Sequence, residues 1–204
     1  MELTEHELRV LGCLIEKQMT TPDYYPMSLN GLTMACNQKS NRDPVVDYTE
    51  TEVVDAVDGL RGRGLARTVH GKGDRVLKYR HVVTESLEIS DRQAAVLAVL
   101  MLRGDQTLGE LRSRTGRYVE FVDLDDVAAE LETLSAAETP LALRLERRPG
   151  ENEARYRQLL GVHTDPTPVA AEPGYTEHDR VAELETELFE LRERVERMER
   201  ELGL

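Results

Sequence analysis

The chain has 204 residues, 40% of them hydrophobic and 32% charged, with a formal net charge of −13. That length accommodates one or two ordinary domains, and two Phe, seven Tyr and no Trp leave an aliphatic core of Leu, Val, Ala and Met. No stretch approaches the ~20 apolar residues that cross a bilayer, and MELTEHELRV lacks the basic and apolar regions of a signal peptide, so the expected location is cytoplasmic.

Charge and cysteine usage narrow the reading further. Residues 1–86 carry a net −2, residues 87–162 a net −4 and residues 163–204 a net −7, so over half of the acidic excess belongs to the tail. Cys13 and Cys36 lie in no CxxC pair and near no His cluster, which gives a disulfide framework or a zinc site no support. Both are expected as small core residues, and no cofactor is expected.

Residues 3–19 repeat Leu3, Leu8, Leu11, Leu14 or Ile15 and Met19 at helical intervals, and Thr4 with Glu7 forms a capping-box signature. Pro22 and Pro26 end that helix. A second, short helix starts at Ser28 with Leu29, Leu32 and Ala35 or Cys36 on one face, and the polar run from Asn37 to Pro44 breaks it. The third starts at Thr49 with Glu52 as another capping box, turns Val53, Ala56 or Val57 and Leu60 inward, and closes at Gly62 and Gly64. Leu65–His70 and Arg75–Val83 then read as strands around the turn Gly71-Lys72-Gly73-Asp74.

The same order recurs with helices at Ser90–Leu102, Leu108–Arg114 and Asp123–Leu134 and a hairpin of Leu141–Arg147 with Ala154–Leu160. Three helices and a hairpin, twice, predict a mainly α chain of two tandem winged-helix domains, residues 1–86 and 87–162. Pro166, Pro168 and Pro173 mark a linker over 163–176. Over 177–204, Val181, Leu184, Leu188, Leu191, Val195, Met198 and Leu202 alternate spacings of three and four, a heptad seam. Arg180 with Glu185, Glu187 with Arg192 and Arg194 with Glu199 supply opposite-sign pairs between g and e positions. The expectation is a parallel homodimeric coiled coil.

The run Cys36-Asn37-Gln38-Lys39-Ser40-Asn41-Arg42-Asp43-Pro44-Val45, with Leu14-Ile15-Glu16-Lys17 and Thr20-Thr21-Pro22-Asp23-Tyr24-Tyr25-Pro26 before it, resembles the YceH family of bacterial tandem winged-helix proteins. The similarity continues through Asp91-Arg92-Gln93-Ala94 to Arg155-Tyr156, about residues 1–160. The resemblance implies the fold and carries over no catalytic or binding residue.

No GxxxxGK[ST], HExxH, GxSxG or nucleophile–base signature is present, so no enzymatic activity is expected. The strongest charged feature is the first hairpin and its approach, Arg61, Arg63, Arg67, Lys72, Arg75, Lys78 and Arg80 against Asp74, a patch suited to neutralising phosphates. Lys39 and Arg42 in the polar loop complete the expected DNA-contacting set. The competing interpretation is a solvated sheet edge and a loop in which Asn37 caps the second helix while Asn41 and Asp43 form a turn. Glu52, Asp55 and Asp58 beside Thr51 on the third helix, and Asp125, Asp126, Glu130 and Glu132 on its counterpart, oppose helix-in-groove reading. Two functions therefore compete: a DNA-associated regulator touching phosphates through the first wing, and a protein-interaction scaffold with acidic faces.

Overall fold

Helix α1, Glu5–Thr20, opens on the capping box expected of Thr4 and Glu7, and both reciprocal hydrogen bonds form. Such a cap stabilises a helix by about 1 kcal/mol. Val10, Leu11, Cys13, Leu14 and Ile15 are all fully buried, so α1 is enclosed on more than the single stripe that its amphipathic pattern predicts. The computed structural model describes residues 2–70, 76–147, 150–151 and 153–161, and α1 lies at the centre of that part.

On one side α1 packs against α2, Leu29–Cys36, and α3, Glu50–Gly62; α5, Asp91–Arg103, packs along it as well. Close approach to α5 is possible because residue 12 has no side chain: a Cβ on Gly12 would stand 2.8 Å from Leu102 Cγ. Helix α5 is itself buried from Gln93 to Leu102, the pattern of a helix covered all round. The core is consequently continuous from Leu3 through Leu160.

Three short strands follow from local chemistry. β1, Met27–Ser28, β2, Ala66–Val69, and β3, Lys78–His81, form an antiparallel sheet in the order β1-β3-β2. β1 is too short to show a sequence period, and only the cap by Ser28 of α2 is visible beforehand. The expected strand Arg75–Val83 stops at His81, because Val83–Ser86 turn into a single helical turn, α4.

The second half contains α6, Leu108–Thr115, α7, Leu124–Ala136, and the hairpin of β4, Ala142–Arg144, with β5, Tyr156–Gln158. These strands are shorter than predicted, although Leu145 N–H to Arg155 O and Leu159 N–H to Leu141 O continue the pairing beyond them. Leu3, expected within the first helix, instead forms a parallel bridge with Gly161, its N–H donating to Leu160 O at 2.7 Å. The fold is thus mainly helical with small antiparallel sheets. The linker 163–176 and the heptads from Val181 to Leu202 lie outside the described residues.

Candidate nucleic-acid interface

In the β2–β3 hairpin, Arg67 stands directly opposite Arg80 and Val69 opposite Lys78, with Ala66–His81 and Thr68–Tyr79 as the alternate pairs. Successive side chains point to opposite faces. Tyr79 and His81 are buried, which places Arg67, Lys78 and Arg80 together on the outer face. Like charges directly opposite one another destabilise an antiparallel pair. Arg80 Nη1 is 3.5 Å from Glu85 Oε1, whereas Arg67 is exposed and has no ion-pair partner among the described residues.

The approach to this hairpin is less available than the sequence implies. Arg61 pairs with Asp58 at 2.6 Å, and Arg63 Nε donates to Glu7 Oε1 at 3.1 Å, tying the end of α3 to the buried cap of α1. Arg63 therefore serves the fold first. Lys72 and Arg75 lie outside the described residues. Beneath the sheet, His81 N–H donates to Tyr25 Oη at 2.7 Å, and burial lowers the imidazole pKa to about 4.

Residues 37–44 divide between surface and interior. Asn37 caps α2 and ties the loop to α3's approach, its Nδ2 donating to Tyr48 O and its Oδ1 accepting from Tyr48 N–H, both at 2.8 Å. Lys39 is exposed. Arg42, expected at the DNA surface, is corrected by the structure: it is 5% exposed and donates to Ala35 O, Asn41 O and both oxygens of Glu16. A guanidinium matches a carboxylate in this forked geometry, so burial selects the internal partner over phosphate.

Glu16 is the hub that sequence inspection misses. It is 1% exposed and also accepts from Arg117 and, at 3.0 Å, from Tyr118 Oη. Burial by itself would raise the carboxyl pKa, but hydrogen bonds and charge from Arg42, joined by the charges of Arg117 and Lys17, hold it below the ordinary value. Burial, with the negative charge of Glu16, raises Tyr118 to about 12. The only advance signal is an acidic residue directly after the apolar Leu14-Ile15 of α1.

The outer face of α3 exposes Thr51, Glu52, Asp55 and Asp58 as expected. On α7, Asp125 and Glu132 are exposed, while Asp126 and Glu130 are engaged by Arg92 at 3.1 and 3.2 Å. Among the described residues no group of three His, Cys, Asp or Glu side chains is placed to hold a metal ion, and no helix is long and apolar enough to cross a membrane. Cys13 and Cys36 are buried free thiols.

Mainly helical architecture, small basic and acidic surfaces and the polar loop place this chain among small helix-rich proteins with charged outer faces. Residues 3–151 match the family model described as "Protein of unknown function, DUF480". The chain is 49% identical to a UPF0502 protein of Pelobacter propionicus over 208 residues, covering 98% of this chain and 94% of that one. It is 46% identical to a UPF0502 protein of Serratia proteamaculans over 202 residues, with 96% and 94% covered. The UPF0502 protein YceH of Escherichia fergusonii is 45% identical over 215 residues, with 99% and 98% covered. The chain belongs to this UPF0502 family, as the resemblance of its loop motif to YceH implies.

Proposed function

We propose that the chain is a non-catalytic, tandem winged-helix homodimer that associates with DNA by contacting phosphates through the β2–β3 wing. Residues 1–86 and 87–162 are the two winged-helix domains of this reading, and residues 177–204 the parallel coiled coil that joins protomers. The observation that carries it is the Arg67–Arg80 cross-strand pair. Two guanidiniums facing one another cost stability in the free protein; Glu85 offsets part of that at Arg80, and a phosphate between them removes the rest. The acidic outer face of α3 opposes base reading, so contact is to the backbone and independent of sequence.

The test is a pair of readouts on Arg67→Ala with Arg80→Ala. Removal of the like-charge pair leaves thermal stability unchanged or raises it by about 0.5 kcal/mol, while retention on mixed duplex DNA at about 50 mM salt is lost. No binding by the unmodified protein under those conditions overturns the reading. The exposed Glu52, Asp55 and Asp58 favour a second reading, a scaffold gripping basic protein partners, and that failure would promote it.

A further inference from the structure

Four segments meet where the two halves of the described chain join: the end of α1, the 37–44 loop, the end of α5 and the end of α6. Hydrogen bonds record the meeting. Lys17 Nζ donates to Gln38 Oε1 at 3.3 Å and Gln38 Nε2 to Ser40 Oγ at 3.0 Å. From α5, Arg103 Nη1 donates to Asn41 Oδ1 at 3.3 Å, and Arg117, beyond α6, reaches Glu16 of α1.

Charge at this junction does not cancel. Glu16 is bound by buried Arg42 from beneath and by Arg117 from the surface, so one carboxylate serves two guanidiniums. Glu110 pairs with Arg114 at 3.3 Å and with Arg155 at 2.9 Å, and Glu151 also pairs with Arg155 at 3.2 Å, so that neighbouring cluster is balanced. Arg103 has no carboxylate partner among the described residues; its guanidinium donates to the Asn41 amide oxygen. Burial, and after it the charges of Arg114 and Arg117, lower its pKa, and the opposing influences of Tyr118 and Asp43 do not reverse this. Lys39 adds an exposed cation on the loop. Like charges crowded in this way raise the energy of the free protein, and an anion laid across them lowers it.

We infer that the junction formed by Lys17, Lys39, Arg103, Arg114 and Arg117 is a second phosphate-contacting surface, occupied by the backbone of a nucleic acid. The cations come from separate segments, and Gln38, Asn41, Glu110 and Glu16 hold four of them in place. Cations contributed by several segments suit the successive phosphates of a chain better than one small ion. Arg42 contributes from below: with Glu16 divided between Arg42 and Arg117, the cluster keeps one net positive charge, which the more exposed Arg117 presents at the surface. The inference rests on the nucleic-acid reading of the chain, but on residues that the wing does not include.

Hydrogen–deuterium exchange of the full-length protein, with and without a mixed duplex of about 24 base pairs at low salt, separates the two surfaces. Protection is expected at residues 38–41 and 112–118 as well as at 66–69 and 76–81. Lys39→Gln with Arg103→Gln should retain the native melting temperature, weaken binding at least tenfold and reduce the log–log salt slope by about 2 for each protomer engaged. Protection confined to the hairpin, or a double variant that binds as the unmodified protein does, overturns the junction and leaves the wing. Protection of the junction alone overturns the wing and keeps the junction, and protection of neither overturns both. Equal protection by inorganic phosphate at matched phosphate concentration overturns the nucleic-acid assignment in favour of a free anion.

Discussion

Gly12 of α1 and Leu102 of α5 touch so closely that the smallest side chain at position 12 would meet Leu102 Cγ at 2.8 Å. Gly12→Ala gains about 1 kcal/mol of helix propensity but overpacks a rigid contact at about 1–3 kcal/mol. The net expectation is a loss of about 1 kcal/mol, rising severalfold for Gly12→Val. Urea denaturation checks it, and a stabilised Gly12→Ala would show that the two helices separate freely.

Glu16→Gln leaves the buried Arg42 guanidinium without its carboxylate. Removing one partner of a buried ion pair costs about 3–5 kcal/mol, whereas Glu16→Gln combined with Arg42→Met removes the charge and its partner together. The double variant should therefore be more stable than Glu16→Gln alone. A double-mutant cycle measured by chemical denaturation reads the coupling, and additive losses would remove Glu16 from its role as hub.

Stability should also fall through mildly acidic pH on account of His81. Its folded pKa of about 4 lies below the unfolded value of about 6.5, so between these limits the unfolded chain binds more protons. Stability is full above about pH 6.5 and is lost progressively down to about pH 4, by about 3 kcal/mol. Lowered Glu16 acts in the same direction at lower pH, since protonation removes the acceptor that Arg42 requires. His81→Phe should flatten the upper part of the curve, and an unchanged pH profile would exclude His81 as its source.

Elements specified within a few residues were legible in the chain. Thr4 with Glu7 and Thr49 with Glu52 announce their helices because both halves of each capping box lie three residues apart. Periodicity also finds the buried positions of α3, which presents one face to the interior. It fails for α1, where apolar residues facing α5 merge with those facing α2 and α3 into a helix buried on several sides. The burial of Arg42 escapes the sequence for a related reason: its partner Glu16 is 26 residues earlier in the chain, and a polar loop looks solvated until that partner is placed. Arg103, Arg114 and Arg117 are unremarkable in sequence and become a surface only when α5 and α6 end beside the loop.

The wing and the coiled coil together make a quantitative prediction about salt. If about three phosphates are engaged by each protomer's wing and the heptads from Val181 to Leu202 hold two protomers together, about six counterions are displaced per dimer. At about −0.9 per phosphate, the wings contribute about −5 to the slope of log affinity against log salt, and phosphates engaged at the junction add to it. The coil enters because linked wings act at high effective concentration. Leu188→Lys places like charges in the seam and should yield monomers by light scattering, with the slope halved and affinity at about 50 mM salt reduced by at least tenfold. Val181→Cys, with Cys13 and Cys36 replaced, should give an interchain disulfide, because a positions face each other in the parallel arrangement. A Leu188→Lys protein that stays dimeric, or that keeps the full slope as a monomer, would show that dimerisation does not depend on the heptads or that the phosphates are engaged by one protomer alone.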